Sequence, residues 1–387
     1  MMYMKKIREK MIMKSGIGRL FVIIFFVLLF LPMLLANYSK NVSSEIDNKR
    51  LTEFPQFGQE GFNDRLEQYV EDRVGLRVPA ITLYQYLCDR LFHVLVHPAY
   101  MYGKGNEVYS PVDMTAYQNL DVEDKYIESV SDYLTGLADL CGDSNAEMIF
   151  FMCPNKESVY YENFPEGYNI KDQPDRSDRI VEELTEKGIH CVFPRDTYKK
   201  QRENILLYNH KYDVLHWNDT GCFYGMKELI NEEKKLGYSV GELTAEEFDI
   251  SEKTEKYLDQ SRFIINDAVP DYKLRDDDIT DNKEMLLEKY DFTDRNQYSY
   301  YFINSDHKER PRVFVIGDSY FGNSVASDSL KKHSSELLMV HIRNMDHIKE
   351  YITDFHPDVV VIEAVEREFI NTGYWSPETV SEWVNNL

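Results

Sequence analysis

The chain has 387 residues, 43% of them hydrophobic and 28 of them tyrosines, which specifies a folded body with a core and excludes a disordered chain. Its 44 basic and 67 acidic side chains leave a net charge of −23. So acidic a chain excludes nucleic acid as a ligand, since nothing would displace the backbone counterions, and it repels a strongly anionic polymer unless a local basic patch intervenes.

The first 36 residues stand apart from the rest. Residues 1–19, MMYMKKIREKMIMKSGIGR, carry six Lys/Arg and one acid, and Leu20–Ala36, LFVIIFFVLLFLPMLLA, carries no charge. Seventeen apolar residues lie at the lower end of what spans a bilayer. An uncleaved transmembrane anchor and a cleaved signal peptide both fit this pattern. The basic head is long for a signal peptide, and Leu34-Leu35-Ala36 is a poor small-x-small cleavage site, which favours the anchor. Under either reading the basic flank stays cytoplasmic and the body is exported. Pro32 is tolerable near the outer end of a span. With the leader set aside, the exported part carries a charge near −28.

Residues 37–100 are polar and then helical, with Leu66, Tyr69, Val70, Leu83, Leu87 and Leu91 at helical intervals broken at Pro79. From residue 101 onward helices and strands alternate. DKYIESVSDYLTGLADL reads as a helix, AEMIFFMCP (146–154) as a buried strand, DRSDRIVEELTEKG as a helix and HCVFP (190–194) as a strand. CFYGMKELINEEKKLG reads as a further helix. Residues 240–310 are acidic and irregular, an insertion in the alternating pattern. Strand 312–316, helix 321–333, strand 336–342, helix 345–355 and strand 358–365 then follow. Short apolar strands between amphipathic helices predict a three-layer α/β/α domain over 101–387, with a mostly parallel sheet covered on both faces.

The five cysteines, Cys88, Cys141, Cys153, Cys191 and Cys222, are scattered, odd in number and without a CxxC, so neither a disulfide framework nor a metal site is indicated. Gly-Lys-Gly at 103–105 lacks the pattern of a phosphate loop. No cofactor motif is present.

Two Gly-Asp-Ser tripeptides remain, at 142–144 and at 317–319. In a parallel α/β sheet, chemistry gathers at the carboxyl ends of the strands. Gly317-Asp318-Ser319 leaves such an end and opens a helix, which exposes a serine on a tight turn with helix N–H groups facing a developing oxyanion. Gly142-Asp143-Ser144 ends a helix ahead of its strand, with Gly142 in the place of a C-cap. Ser319 is the candidate nucleophile and Ser144 is not. A serine needs a base, and His216 in YDVLHWNDTG is placed to serve. Asp213, three residues earlier, can orient the imidazole, while Asn218 or Asp219 can cap the following helix. A capping loop with a packed histidine is the competing reading of that segment. His93, His97, His307, His333, His347 and His356 fall in helical, polar or helix-end settings.

Asp213-x-x-His216 together with Gly317-Asp318-Ser319 resembles the SGNH hydrolases. The chain order, Asp and His ahead of Ser with His216-Trp217-Asn218 before the serine, is similar to the alginate O-acetyltransferase-like branch (AlgX/AlgJ-like, or DHHW, proteins). NKRLTEFPQF, VEDRVGLR, MYGKGNEVYS, CPNKESVYYENFPEG and HPDVVVIEAVERE fit the same branch, across most of residues 45–370. One departure is that the branch reads D-x-H-W, whereas Val214 holds the place of that aspartate here.

The resemblance implies an anchored enzyme that accepts an acetyl group on Ser319, moves the proton through His216 and passes the acetyl to a hydroxyl of a cell-surface or exported polysaccharide. It also implies a multi-spanning membrane acyltransferase as a separate partner that supplies the acetyl group. The same triad with water as acceptor would make a carbohydrate acetylesterase, and a retained fold without catalysis would make a scaffold of a polysaccharide export complex. The Ser319 N–H is the first oxyanion candidate. Asn155, Arg343 and Asn344, which follow strand ends on the same sheet edge, are candidates for the second donor or for substrate contact. Glu366 and Arg367 end a strand there as well and read as an internal ion pair. The aromatic stretch 290–302 reads either as a sugar platform or as an edge hairpin with tyrosines packed on the sheet.

Overall fold

The computed structural model describes residues 2–37, 50–118, 124–168, 175–259, 261, 263–287, 298–371 and 373–386. The first two residues of NKRLTEFPQF and residues 290–297 of the aromatic stretch lie outside that set. The chain divides into two compact units, Met1–Val96 with Tyr257–Ile264, and His97–Lys256 with Ile265–Leu387.

In the first unit a helix runs over Met2–Leu34, with Pro32 in its last turn. Its segment Gly16–Leu34 is long and apolar enough to cross a membrane. Two further helices follow, Phe62–Arg73 and Arg77–Phe92. The break between them falls at Val74–Leu76 and not at Pro79, which sits in the first turn of the second helix. An N–H in that turn has no intrahelical acceptor, so a proline there loses nothing.

The second unit is built on strands β1 (Met101–Tyr102), β2 (Val108–Tyr109), β3 (Glu147–Cys153), β4 (His190–Val192), β5 (Phe248–Tyr257) and β6 (Ile264–Leu274) apart from Tyr257 and Ile264 themselves, β7 (Tyr300–Ile303), β8 (Arg312–Gly317), β9 (Glu336–His341) and β10 (Val359–Val365). Six of them form one sheet in the order β4-β3-β10-β8-β9-β7. Neighbouring strands are parallel except β7, which runs antiparallel to β9 at the edge. The sequences of β3, β8 and β10 are nearly unbroken apolar runs because both of their faces are covered. Ile149, Phe151, Val313, Val315, Val359 and Val361 pack on one side, against the helices Asp219–Lys235 and Ser324–His333. Met148, Phe150, Phe314, Ile316, Val360 and Ile362 pack on the other, against Asp124–Asp143, Arg176–Glu186 and Ile348–Phe355.

Three expectations need correction. Residues 240–310 are not merely irregular: β5 and β6 form a two-stranded ribbon, and β7 joins the main sheet. The ribbon leaves no signature in the sequence because nearly all of β5, FDISEKTEKY, faces solvent and has no apolar alternation. The serine of the second Gly-Asp-Ser opens a 3-10 turn, Ser319–Gly322, and the α-helix begins only at Ser324. Gly142 lies inside the last turn of its helix; the left-handed residue that ends the segment is Asn145, at φ 58°. In the described part of the aromatic stretch, Tyr300 and Tyr301 open an edge strand antiparallel to β9 and pack against the core, and Phe302 is buried.

Candidate active site

The carboxyl ends of β3, β8, β9 and β10 bring Asn155, Ser319, Arg343 and Arg367 to one edge of the sheet. At the end of β8 the backbone passes so close to β10 that a Cβ on Gly317 would stand 2.3 Å from Glu363 Oε2. The next residue, Asp318, is buried and fully engaged. Its N–H donates to Glu363 Oε2 at 2.7 Å, its Oδ1 accepts from the Tyr320 N–H at 2.8 Å and its Oδ2 accepts from the Val365 N–H at 2.9 Å. Asp318 therefore both caps the 3-10 turn and ties it to the last strand. Burial, and next the charge of Asp318, push the Glu363 carboxyl well above the usual carboxylate range.

His216 reaches Ser319 from a loop ahead of the helix Asp219–Lys235. The turn at Asp213 takes a left-handed conformation, φ 40°, which aspartate tolerates better than most residues. Asp267 of β6 holds that turn from below, accepting from the Lys211 and Tyr212 N–H groups at 2.7 and 2.9 Å. Asp213 Oδ1 then lies 2.8 Å from His216 Nδ1, and His216 Nε2 lies 3.0 Å from Ser319 Oγ. The tautomer that satisfies both contacts carries its proton on Nδ1, donating to Asp213, and accepts the serine hydroxyl on Nε2. The imidazole and the Asp213 side chain are 28% and 29% exposed, so the site is open to a ligand from solution.

The residues after His216 fix its place. Trp217 is buried and its Nε1–H donates to the Tyr320 carbonyl at 3.2 Å, which joins the histidine loop to the serine turn. Asn218, and not Asp219, caps the helix: its Oδ1 accepts from the Gly221 N–H at 2.9 Å. Asp219 instead accepts from the Tyr272 N–H and from Asn323 Nδ2, each at 3.0 Å.

Asn155 is buried rather than presented to solvent. Its Oδ1 accepts from Tyr320 OH at 3.3 Å and from Arg367 Nη1 at 3.1 Å. Arg367 also donates to the Leu215 carbonyl at 2.6 Å and lies over the Tyr320 ring, 5.2 Å from its centroid. One guanidinium thus holds the residue before the histidine and the residue after the serine. Glu366 is not its ion-pair partner; Glu366 Oε1 meets Arg195 Nη1 at 2.7 Å. Asn344 is buried, with Nδ2–H donating to the His341 carbonyl at 3.2 Å. Arg343 is exposed, and its Nε–H donates to Tyr374 OH at 3.1 Å. Sequence reading found the three residues that meet at the site. It missed Asp267, Glu363 and the role of Arg367, which are joined to the site only by pairings far apart in the chain, and it missed Tyr320, which adjoins the serine but acts through contacts with Asn155 and Trp217. No group of side chains able to hold a metal ion occurs among the described residues.

The protein is thus an α/β/α fold whose mostly parallel sheet carries Asp213, His216 and Ser319 in mutual contact at its carboxyl edge. No family model matches the chain, and no curated protein matches its sequence. Solved structures do. Bacillus cereus PatB1 with a sulfonyl adduct aligns over 71% of this chain and 97% of its own, at 14% identity and a TM-score of 0.55. The O-acetyltransferase domain of Pseudomonas putida AlgJ aligns over 75% of this chain and 100% of its own, at 13% identity and a TM-score of 0.50. The chain has the fold of these proteins.

Proposed function

We propose that this chain is a membrane-anchored O-acetyltransferase of the AlgX/AlgJ-like kind, acting outside the cytoplasm on hydroxyls of a cell-surface or exported polysaccharide. The observation that carries the reading is the continuous contact from Asp213 through His216 to Ser319 at the open carboxyl edge of the sheet. The shared fold with an O-acetyltransferase domain supports it, as does the adduct on PatB1, since a sulfonyl electrophile is captured by an activated nucleophile.

In this mechanism Ser319 Oγ attacks the acetyl carbonyl of the donor while His216 Nε2 takes its proton. Asp213 keeps the imidazole in the useful tautomer and stabilises the imidazolium. The flanking Asp318 and Tyr320 N–H groups are committed to Glu363 and Asp318, so the Ser319 N–H is assigned to the oxyanion. The imidazolium returns the proton to the leaving group, which leaves acetyl-Ser319. A sugar hydroxyl then attacks the ester, His216 takes the hydroxyl proton, and the same proton restores Ser319. A positioned base contributes about 10²–10⁴-fold and an oxyanion donor about 10²–10³-fold. A separate multi-spanning acyltransferase supplies acetyl groups from the cytoplasm, because one span makes no channel.

The test uses the full chain in detergent with p-nitrophenyl acetate and a neutral oligosaccharide, beside Ser319→Ala and His216→Ala. Serine-dependent acetyl on the sugar is the expected result. Serine-dependent release to water alone would replace transfer by ester hydrolysis. Equal background rates from all three proteins would end the catalytic reading.

A further inference from the structure

The helix Arg77–Phe92 packs through Val78, Ile81, Gln85 and Cys88 and turns a row of apolar side chains to solvent. Ala80, Leu83, Leu87 and Leu91 recur at helical spacing, with Leu76 just before the helix and Val94 just after it, and every one of them faces solvent; Leu83 is 58% and Leu91 67% exposed. Its polar Gln85 is the buried residue, donating through Nε2 to the Val96 carbonyl at 3.2 Å. Sixteen helical residues make a stripe about 24 Å long, more contiguous apolar surface than a solvated helix carries without a covering partner.

The start of that helix is fastened to the end of the apolar span. The Gly75 N–H donates to the Pro32 carbonyl at 2.8 Å, and the Asn37 N–H donates to the Arg73 carbonyl at 3.0 Å. Carbonyls in the last turn of a helix lack intrahelical donors, and Gly75 supplies one. The approach is close enough to require glycine, since a Cβ on Gly75 would stand 2.5 Å from the Leu35 carbonyl carbon. The stripe therefore begins at the level where the span leaves the hydrocarbon. Tyr84, Tyr86 and Phe92 are exposed beside it, with the Arg90 guanidinium 5.6 Å from the Tyr86 ring centroid. Aromatic rings and arginine at such a level are the composition of a membrane–water interface.

We propose that the helix Arg77–Phe92 lies in the outer headgroup layer with its leucine stripe against the acyl chains, as a collar fixed to the anchor at Gly75. This rests on the anchor reading given above. The collar binds a lipid surface, and the clamp at Gly75 sets its depth.

The full chain reconstituted in phosphatidylcholine vesicles tests this through tryptophan quenching by lipids brominated at shallow or deep acyl positions. Leu87→Trp and Leu91→Trp report the stripe, Phe25→Trp the span, and Glu67→Trp an exposed site on the preceding helix. The unsubstituted chain, whose Trp217, Trp375 and Trp383 are buried, sets the baseline. The stripe variants should lose roughly half of their added signal to shallow bromines and less to deep ones, as a helix sunk about 5–10 Å into the interface does, while Glu67→Trp stays unquenched. Quenching of Phe25→Trp without quenching at 87 or 91 would overturn the collar, leaving a protein partner or a second copy as the cover. Absence of quenching at Phe25→Trp would overturn the anchor reading itself.

Discussion

The same three residues, Gly-Asp-Ser, occur twice in this chain and meet opposite fates. At 142–144 they close a surface helix: Gly142 has open space around its α-carbon, Asp143 is exposed, and the Ser144 N–H completes a turn to the Cys141 carbonyl at 3.0 Å. At 317–319 the glycine is pressed against Glu363, the aspartate is buried with both oxygens engaged, and the serine faces an imidazole. What separates them is which end of a parallel strand they adjoin. Before β3 the tripeptide meets only its own helix, whereas after β8 it meets β10 on one side and the His216 loop above.

The largest effect that would test this contrast is on turnover. Ser319→Ala should lower acyl transfer by about 10⁴-fold or more, because the acyl-enzyme cannot form, and Ser144→Ala should leave it unchanged. Peptide mapping after treatment with a sulfonyl fluoride should place the label on Ser319 and leave Ser144 unmodified. Label on both serines, or on neither, would erase the distinction. Asp213→Asn comes next, with an expected fall in kcat of about 10²–10⁴-fold and little change in KM, since an amide stabilises the wrong tautomer. A steady-state comparison decides whether an aspartate three residues before the histidine serves as the orienting acid.

A smaller effect concerns the glycines, read from Tm. Gly317→Ala should destabilise by about 1–3 kcal/mol as Glu363 is forced aside, whereas Gly142→Ala in a helical turn should be neutral or stabilise by up to about 1 kcal/mol. The smallest effect is a pH dependence beneath the second copy. Glu363 has a folded pKa above its unfolded one, so the stability it contributes is full below the unfolded carboxylate range and is lost as pH rises through the folded value. Glu363→Gln retains an oxygen to accept the Asp318 N–H and cannot ionise. Its Tm should fall less than that of the unsubstituted protein as pH is raised from the ordinary carboxylate range upward.

The parallel sheet was legible because β3, β8 and β10 are apolar runs of strand length bounded by helices with period 3.6. The three site residues were legible because their pattern is local: Asp213 and His216 share one turn, and Ser319 follows a strand end. β5 was not, since a ribbon held by backbone pairing and facing solvent leaves no hydrophobic period. Nor were the supports of the site. Asp267 reads as one more acid in an acidic stretch, and Arg367 reads as the partner of its neighbour Glu366. Their roles come from contacts 55 residues back to Tyr212 and 152 residues back to Leu215. Asn155 and Asn344 were placed at the correct edge, but burial has turned both inward.

The last strand in the chain, β10, does not sit at the rim of the sheet; it lies between β3 and β8. During synthesis from the N-terminus, the residues of β3 and β8 both precede those of the strand that fills the gap between them. Asp318 finds its two anchors, the Glu363 carboxyl and the Val365 N–H, only when that gap is filled. The serine turn is therefore complete only once β10 has closed the sheet. A chain interrupted before residue 359 keeps His216 and Ser319 in its sequence, yet it presents two open strand edges prone to aggregation and a serine with nothing to hold it.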